Sequence, residues 1–186
     1  MPIITRKIEL KIVKDGLTDE EYDQQWKYLY QINNTIYLAA NRISTHCLFN
    51  DEYEMRLKLH MPRYKEIEKE LKKLDSDKKT SDKEIRDRLL NERKELDEDV
   101  KNKKKDFLQC SKQNSTYQLV SKEFKQYIPS DILANLNQKI QENYNNNQKK
   151  IESGERALST YKKGMEIPFS IRENKRLKLF IKEEGI

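Results

Sequence analysis

The sequence predicts an α+β fold, predominantly helical: about five helices, including a long charged hairpin, inserted after the first strand of a small partial β-barrel or sheet. Three observations predict it. Residues 6–13 alternate, with Ile8, Leu10 and Ile12 on one face and Lys7, Glu9 and Lys11 on the other, the period of a half-buried strand. From Tyr22 to Tyr144, apolar residues recur at spacings of three, four and seven, the period of a helix face. At 177–182 alternation returns, with Leu177, Leu179 and Ile181 set against Lys178, Phe180 and Lys182.

Each element has its own punctuation. Asp15-Gly16 ends the first strand, and Thr18 with Glu21 forms a capping box. The helix that follows runs to about residue 48 on Tyr22, Trp26, Leu29, Ile32, Ile36, Ala39, Ala40, Ile43 and Cys47. A second apolar row uses Tyr53, Leu57, Tyr64, Ile67, Leu71 and Leu74, and Met61-Pro62 kinks or restarts it. Ser81 with Glu84 is a second capping box, opening a helix with Ile85, Leu89, Leu96, Val100 and Phe107 inward. These two helices are thinly apolar and heavily charged, which predicts an antiparallel hairpin over 52–110 held by a narrow seam and short-range ion pairs. A shorter helix over 113–127 carries Tyr117, Val120, Phe124 and Tyr127. Pro129-Ser130 breaks and caps, and a fifth helix with Ile132, Leu133, Leu136, Ile140 and Tyr144 ends at Ser153-Gly154. Residues 165–171 read as a strand with Pro168 within it, and so as an edge strand or a bulge. The domain reading is therefore a strand at 1–14, a helical region at 15–153, and a basic linker with returning strands at 154–186. A sheet ending so abruptly leads one to expect that the natural protein continues past Ile186.

Composition bounds the function. The chain has 186 residues, one domain's worth, with 38% charged residues and 35% hydrophobic ones. No stretch approaches the roughly 18 consecutive apolar residues of a membrane span, and Met1-Pro2-Ile3-Ile4 runs straight into alternating charge, unlike a signal peptide. Cys47 and Cys110 have no CxxC partners, so neither a disulfide framework nor a thiolate zinc site is expected, and a reducing cytosol fits. The net charge is +6, carried mainly by the two ends. Such a balance attracts polyanions, although solvated surface charge alone accounts for it equally well.

No catalytic constellation can be assembled. The two histidines, His46 and His60, are isolated, no phosphate-binding glycine loop occurs, and the carboxylates lie in charge-alternating helices. No cofactor and no metal are expected. Residues 112–163 instead combine amides, tyrosines and lysines with few carboxylates. Asn and Gln can bond base edges or phosphate, Tyr can stack on unpaired bases, and Lys neutralises phosphate. A competing reading of the 143–147 run is an exposed helix written in AT-rich codons.

The layout resembles the N-terminal half of the compact type V-F CRISPR effectors and their transposon-encoded TnpB relatives. The resemblance rests on the strand at 8–13, on Tyr37-Leu38-Ala39-Ala40-Asn41-Arg42, and on Asn135-Leu136-Asn137-Gln138-Lys139-Ile140 with Tyr144 beyond it. It rests also on a basic segment followed by Gly164-Met165-Glu166-Ile167-Pro168-Phe169. It implies a wedge strand, a helical recognition insertion and a returning wedge, with guide RNA and target DNA as partners. By the same carry-over, Tyr117, Gln118, Lys122, Asn135, Asn137, Gln138 and Lys139 would read the flanking DNA motif. Arg156, Lys162, Lys163 and Lys178 would neutralise phosphate. The family's acidic nuclease site and CxxC element match nothing in these 186 residues, so no enzyme activity is expected of this chain. The hairpin at 52–110 is bulkier than the resemblance implies. A homodimer contact, an RNA prop and an additional protein partner are its open roles, and a helical-hairpin protein–protein scaffold is the alternative to nucleic-acid binding.

Overall fold

The computed structural model describes residues 12, 14–76, 83–108 and 112–169. Among the described residues there are five helices and no strand or sheet: α1 (Asp19–Leu59), α2 (Pro62–Ser76), α3 (Lys83–Leu108), α4 (Lys112–Phe124) and α5 (Ser130–Glu152). The α+β expectation is thereby corrected to an all-helical architecture. The alternating segments at 6–13 and 177–182 lie largely or wholly outside the described residues, as do Cys110, Lys178 and Ser81. The strand expected at 165–171 is not formed where it is described. Residues 165–169 run irregularly, and their backbone is committed elsewhere. Pro168 has no N–H to give a ladder, its carbonyl accepts from Asn135 Nδ2 at 3.2 Å, and the Phe169 N–H closes a three-residue turn on the Ile167 carbonyl at 3.0 Å. The alternation in this segment is real, but Met165, Ile167 and Phe169 pack on a helical core rather than on a sheet.

The capping box forms as expected. Thr18 Oγ1 accepts from the Glu21 N–H at 3.3 Å, and Glu21 Oε2 accepts from the Thr18 N–H at 2.9 Å. The backbone bond from Thr18 holds the Glu21 carboxyl below its usual range. Helix α1 then continues well beyond residue 48, for 41 residues, because nothing in 48–59 breaks it. It takes Tyr53 and Leu57 from the second apolar row with it. It stops where a stop is encoded: Met61 precedes Pro62, which disfavours helical backbone there, and Pro62 opens α2, where its missing N–H costs nothing. Pro129 is the cap residue of α5 and Ser130 its first helical residue, so the serine does not cap as expected.

The length of α1 joins two cores. Its middle packs with α4 and α5 around Ile36, Ile43, Val120, Leu133, Leu136 and Ile140, all essentially inaccessible. Its C-terminal turns meet the α2–α3 hairpin, whose seam is small: Ile67, Leu71 and Leu89, with Leu74, Leu90 and Leu96 beside them. Charge supplements that seam. Arg63 grips Glu92 through two parallel bonds, Nε to Oε1 at 2.6 Å and Nη2 to Oε2 at 2.8 Å. Tyr64 is buried between the Lys58 ammonium and the Arg93 guanidinium, 5.5 and 5.9 Å from its ring centre. Lys58 also bridges Glu54 and Asp97, and Lys104 reaches Glu54 at 2.7 Å, tying α3 to α1.

Candidate nucleic-acid interface

Just past the end of α5 lies Gly154, whose φ of +77° is left-handed backbone that favours glycine. Beyond it, residues 155–169 form a strap across the bundle. Leu158, Tyr161, Met165, Ile167 and Phe169 supply its apolar contacts. Side-chain amides and a hydroxyl supply the rest. Asn41, in the middle of α1, donates from Nδ2 to the Tyr161 carbonyl at 2.8 Å and accepts the Tyr161 N–H on Oδ1 at 2.7 Å. One planar amide thus satisfies both polar groups of one peptide residue, as a neighbouring strand would. Ser44 Oγ donates to the Ser159 carbonyl at 3.1 Å, and Asn143 Nδ2 donates to the Tyr161 hydroxyl at 2.8 Å. Lys139 pairs with Glu166 at 3.3 Å.

The clamp fixes a basic turn. Lys162 and Lys163 are followed by Gly164, whose φ of +87° suits glycine, and the Met165 N–H closes the turn on the Lys162 carbonyl at 3.3 Å. Both lysines are exposed, and among the described residues neither has an ion-pair partner. Arg156, also exposed, bonds through Nη1 to the neutral Asn147 amide rather than to a carboxylate. Two exposed lysines on a turn whose backbone is held, with an uncompensated guanidinium earlier in the same strap, can donate to phosphate oxygens without first breaking a salt bridge.

The other sequence-predicted residues fall into three situations. Gln118 and Lys122 lie exposed on α4, while Tyr117 is half-buried against the bundle core. Asn135 holds the Pro168 carbonyl, Gln138 donates to Glu142 one turn on, and Lys139 holds Glu166. Asn137 faces inward at 3% exposure, accepting from Gln141 Nε2 at 3.0 Å. Asn135 and Lys139 therefore hold the far end of the strap and Arg156 lies at its start beside Asn147, whereas Gln118 and Lys122 stand on another helix. Lys178 lies outside the described residues. The sequence reading missed Asn41, Ser44 and Asn143 as a group. Their only sequence signal was polarity inside or beside an apolar helix row, at Asn41 and Ser44 within Ala39–Ile43–Cys47.

Among the described residues, no helix is long and apolar enough to cross a membrane, and no group of His, Cys, Asp and Glu could hold a metal ion. Cys47 is fully buried in the bundle core. No protein-family model matches the chain, and neither a curated protein nor a solved structure does.

Proposed function

We propose that the chain is a nucleic-acid-binding module of a cytoplasmic RNA-guided DNA-targeting protein, an all-helical unit that engages guide RNA and the DNA next to the target. The observation that carries this reading is the clamped basic turn: Lys162 and Lys163 are exposed, without ion-pair partners among the described residues, and held by Asn41 and Ser44 through the strap. The guide-directed part of the proposal rests on the resemblance of the 37–42, 135–140 and 164–169 segments to the type V-F and TnpB proteins. Gln118 and Lys122, exposed on α4, are the residues to which this reading gives the duplex contact. The inward Asn137 has the weaker case, because its amide oxygen is occupied. No catalytic step is assigned to this chain.

Purified from cells without a nuclease step, the protein is expected to show a nucleic-acid-like absorbance ratio that ribonuclease lowers. A protein-like ratio, together with no affinity for RNA or DNA at low salt, would overturn the proposal.

One observation favours a second reading, a protein–protein scaffold. Met55 and Leu59 are exposed at the base of the hairpin, beside a groove of about 510 Å³ that Tyr64 and Lys69 also line. If that groove takes a partner helix, Met55→Ser/Leu59→Ser abolishes partner capture and leaves RNA affinity unchanged.

A further inference from the structure

Away from the strap, α1 and α3 bring four aromatic rings to one surface. His46, Phe49 and Tyr53 follow each other at spacings of three and four on α1, and Phe107 joins them from the last turn of α3. Three of the four ring contacts are within 28° of parallel, and the fourth, between Phe49 and Phe107 at 6.5 Å, is tilted by 44°. His46 and Phe49 lie 5.9 Å apart at 20°, Phe49 and Tyr53 6.3 Å apart at 16°, and Tyr53 and Phe107 4.5 Å apart at 28°. Rings brought together only to bury area favour edge-to-face as readily as parallel arrangements. These instead form a stepped plate in which Phe49 meets the other three rings, and two members stay open: Phe49 is 44% exposed and Phe107 56%. His46 Nε2 is anchored by the Ser115 hydroxyl at 3.3 Å. Burial, and then the Arg42 charge, push its pKa below the ordinary value, so the ring is neutral near pH 7.

Charges of both signs surround the plate. Arg56 lies one turn beyond Tyr53, is exposed, and has no ion-pair partner among the described residues. Lys103 lies one turn before Phe107 and is held only by an exposed pair to Asp99. Arg42, one turn before His46, bonds Glu123 of α4, and the carboxylate of Glu52 is the near counter-charge on α1.

We propose that this plate is a stacking platform for unpaired bases of single-stranded RNA, with Phe49 and Phe107 as the stacking faces and Arg56 and Lys103 beside the backbone. Every base has a flat π-face, so the platform is tolerant of sequence, unlike a groove cut for particular side chains. The inference rests on the nucleic-acid reading above and adds to it a second contact region, separate from the basic turn.

The test uses the full chain and a fluorescently labelled, unstructured oligouridylate. Phe49→Leu and Phe107→Leu keep apolar volume at half-exposed positions, and thermal melting should confirm that both fold. Each is expected to weaken binding about 10-fold, with the slope of log affinity against log salt unchanged, since no phosphate contact is removed. Independently, photocrosslinking wild-type protein to iodouridine-substituted RNA should yield adducts at Phe49 or Phe107. If the wild type binds but both variants bind equally well, or the adducts map elsewhere, the platform is overturned while the basic turn stands. If the wild type binds no nucleic acid, both fall together.

Discussion

Asn41 shows how much one neutral side chain can organise. Its amide meets both backbone groups of Tyr161 across 120 residues of sequence. Asn41→Ala leaves those groups to imperfect hydration, so it should cost about 1–3 kcal/mol in urea unfolding. It should also speed tryptic cleavage at Arg156, Lys162 and Lys163. Unchanged stability and unchanged cleavage would remove the clamp from the account. The polar character of Asn41 and Asn135 was legible in the sequence, and their purpose was not. An amide that can read an adenine edge can equally read a peptide edge, and the choice depends on a segment far away in the chain. Residue type therefore pointed to hydrogen bonding, and the partner came only with the fold.

At the scale of elements, the hairpin is the least supported part of the molecule. Its seam offers three buried apolar side chains, against more than a dozen in the bundle. Truncating Ile67 to Ala should cost about 2–4 kcal/mol and open α2 and α3 locally, because the seam holds little else. Hydrogen exchange would read this as lost protection in 62–108, with protection in α4 and α5 retained; loss across the whole chain would show instead that the two cores fold as one. The joint between hairpin and α1 carries a pH dependence of definite sign. Burial alone would raise the Glu54 carboxyl, but Lys104 and Lys58 outweigh it and leave the pKa below the ordinary 4.5. A carboxyl depressed in the folded state stabilises fully above its unfolded value, and that stabilisation is lost as pH falls below about 4.5. Protection of the α1–α3 contact should fall in that window, and Glu54→Gln should flatten the profile; a wild-type profile with no such fall would exclude the joint as its source. The hairpin itself was legible from thin, charged apolar rows. The run-on of α1 was not, because the helix changes partners near residue 50 and its apolar row changes face there, which in sequence looks like an end.

Over the whole molecule, one long helix carries two structures of different character. The bundle and its strap are held by apolar burial and a few directed amides, and they present cations without ion-pair partners. The hairpin spends many of its charges on itself, through Arg63–Glu92 and Arg86–Asp75, and on α1, through Lys104–Glu54 and Lys58–Asp97. Net charge and end-loading were readable at once, and so was the helical periodicity. The sheet inferred from alternation was not a safe inference at 165–169, since alternating side chains serve a strap laid over helices as well as a strand in a ladder. Which cations are available to a polyanion follows from pairing geometry, and that geometry separates the strap from the arm. The most direct measurement is RNA affinity as a function of salt for the wild type and for Lys162→Ala/Lys163→Ala. We expect a steep negative slope of log affinity against log salt, shallower by about 1–2 in the double variant, as each phosphate contact contributes roughly 0.7–0.9. Equal slopes in the two proteins, or no binding even at low salt, would contradict the account.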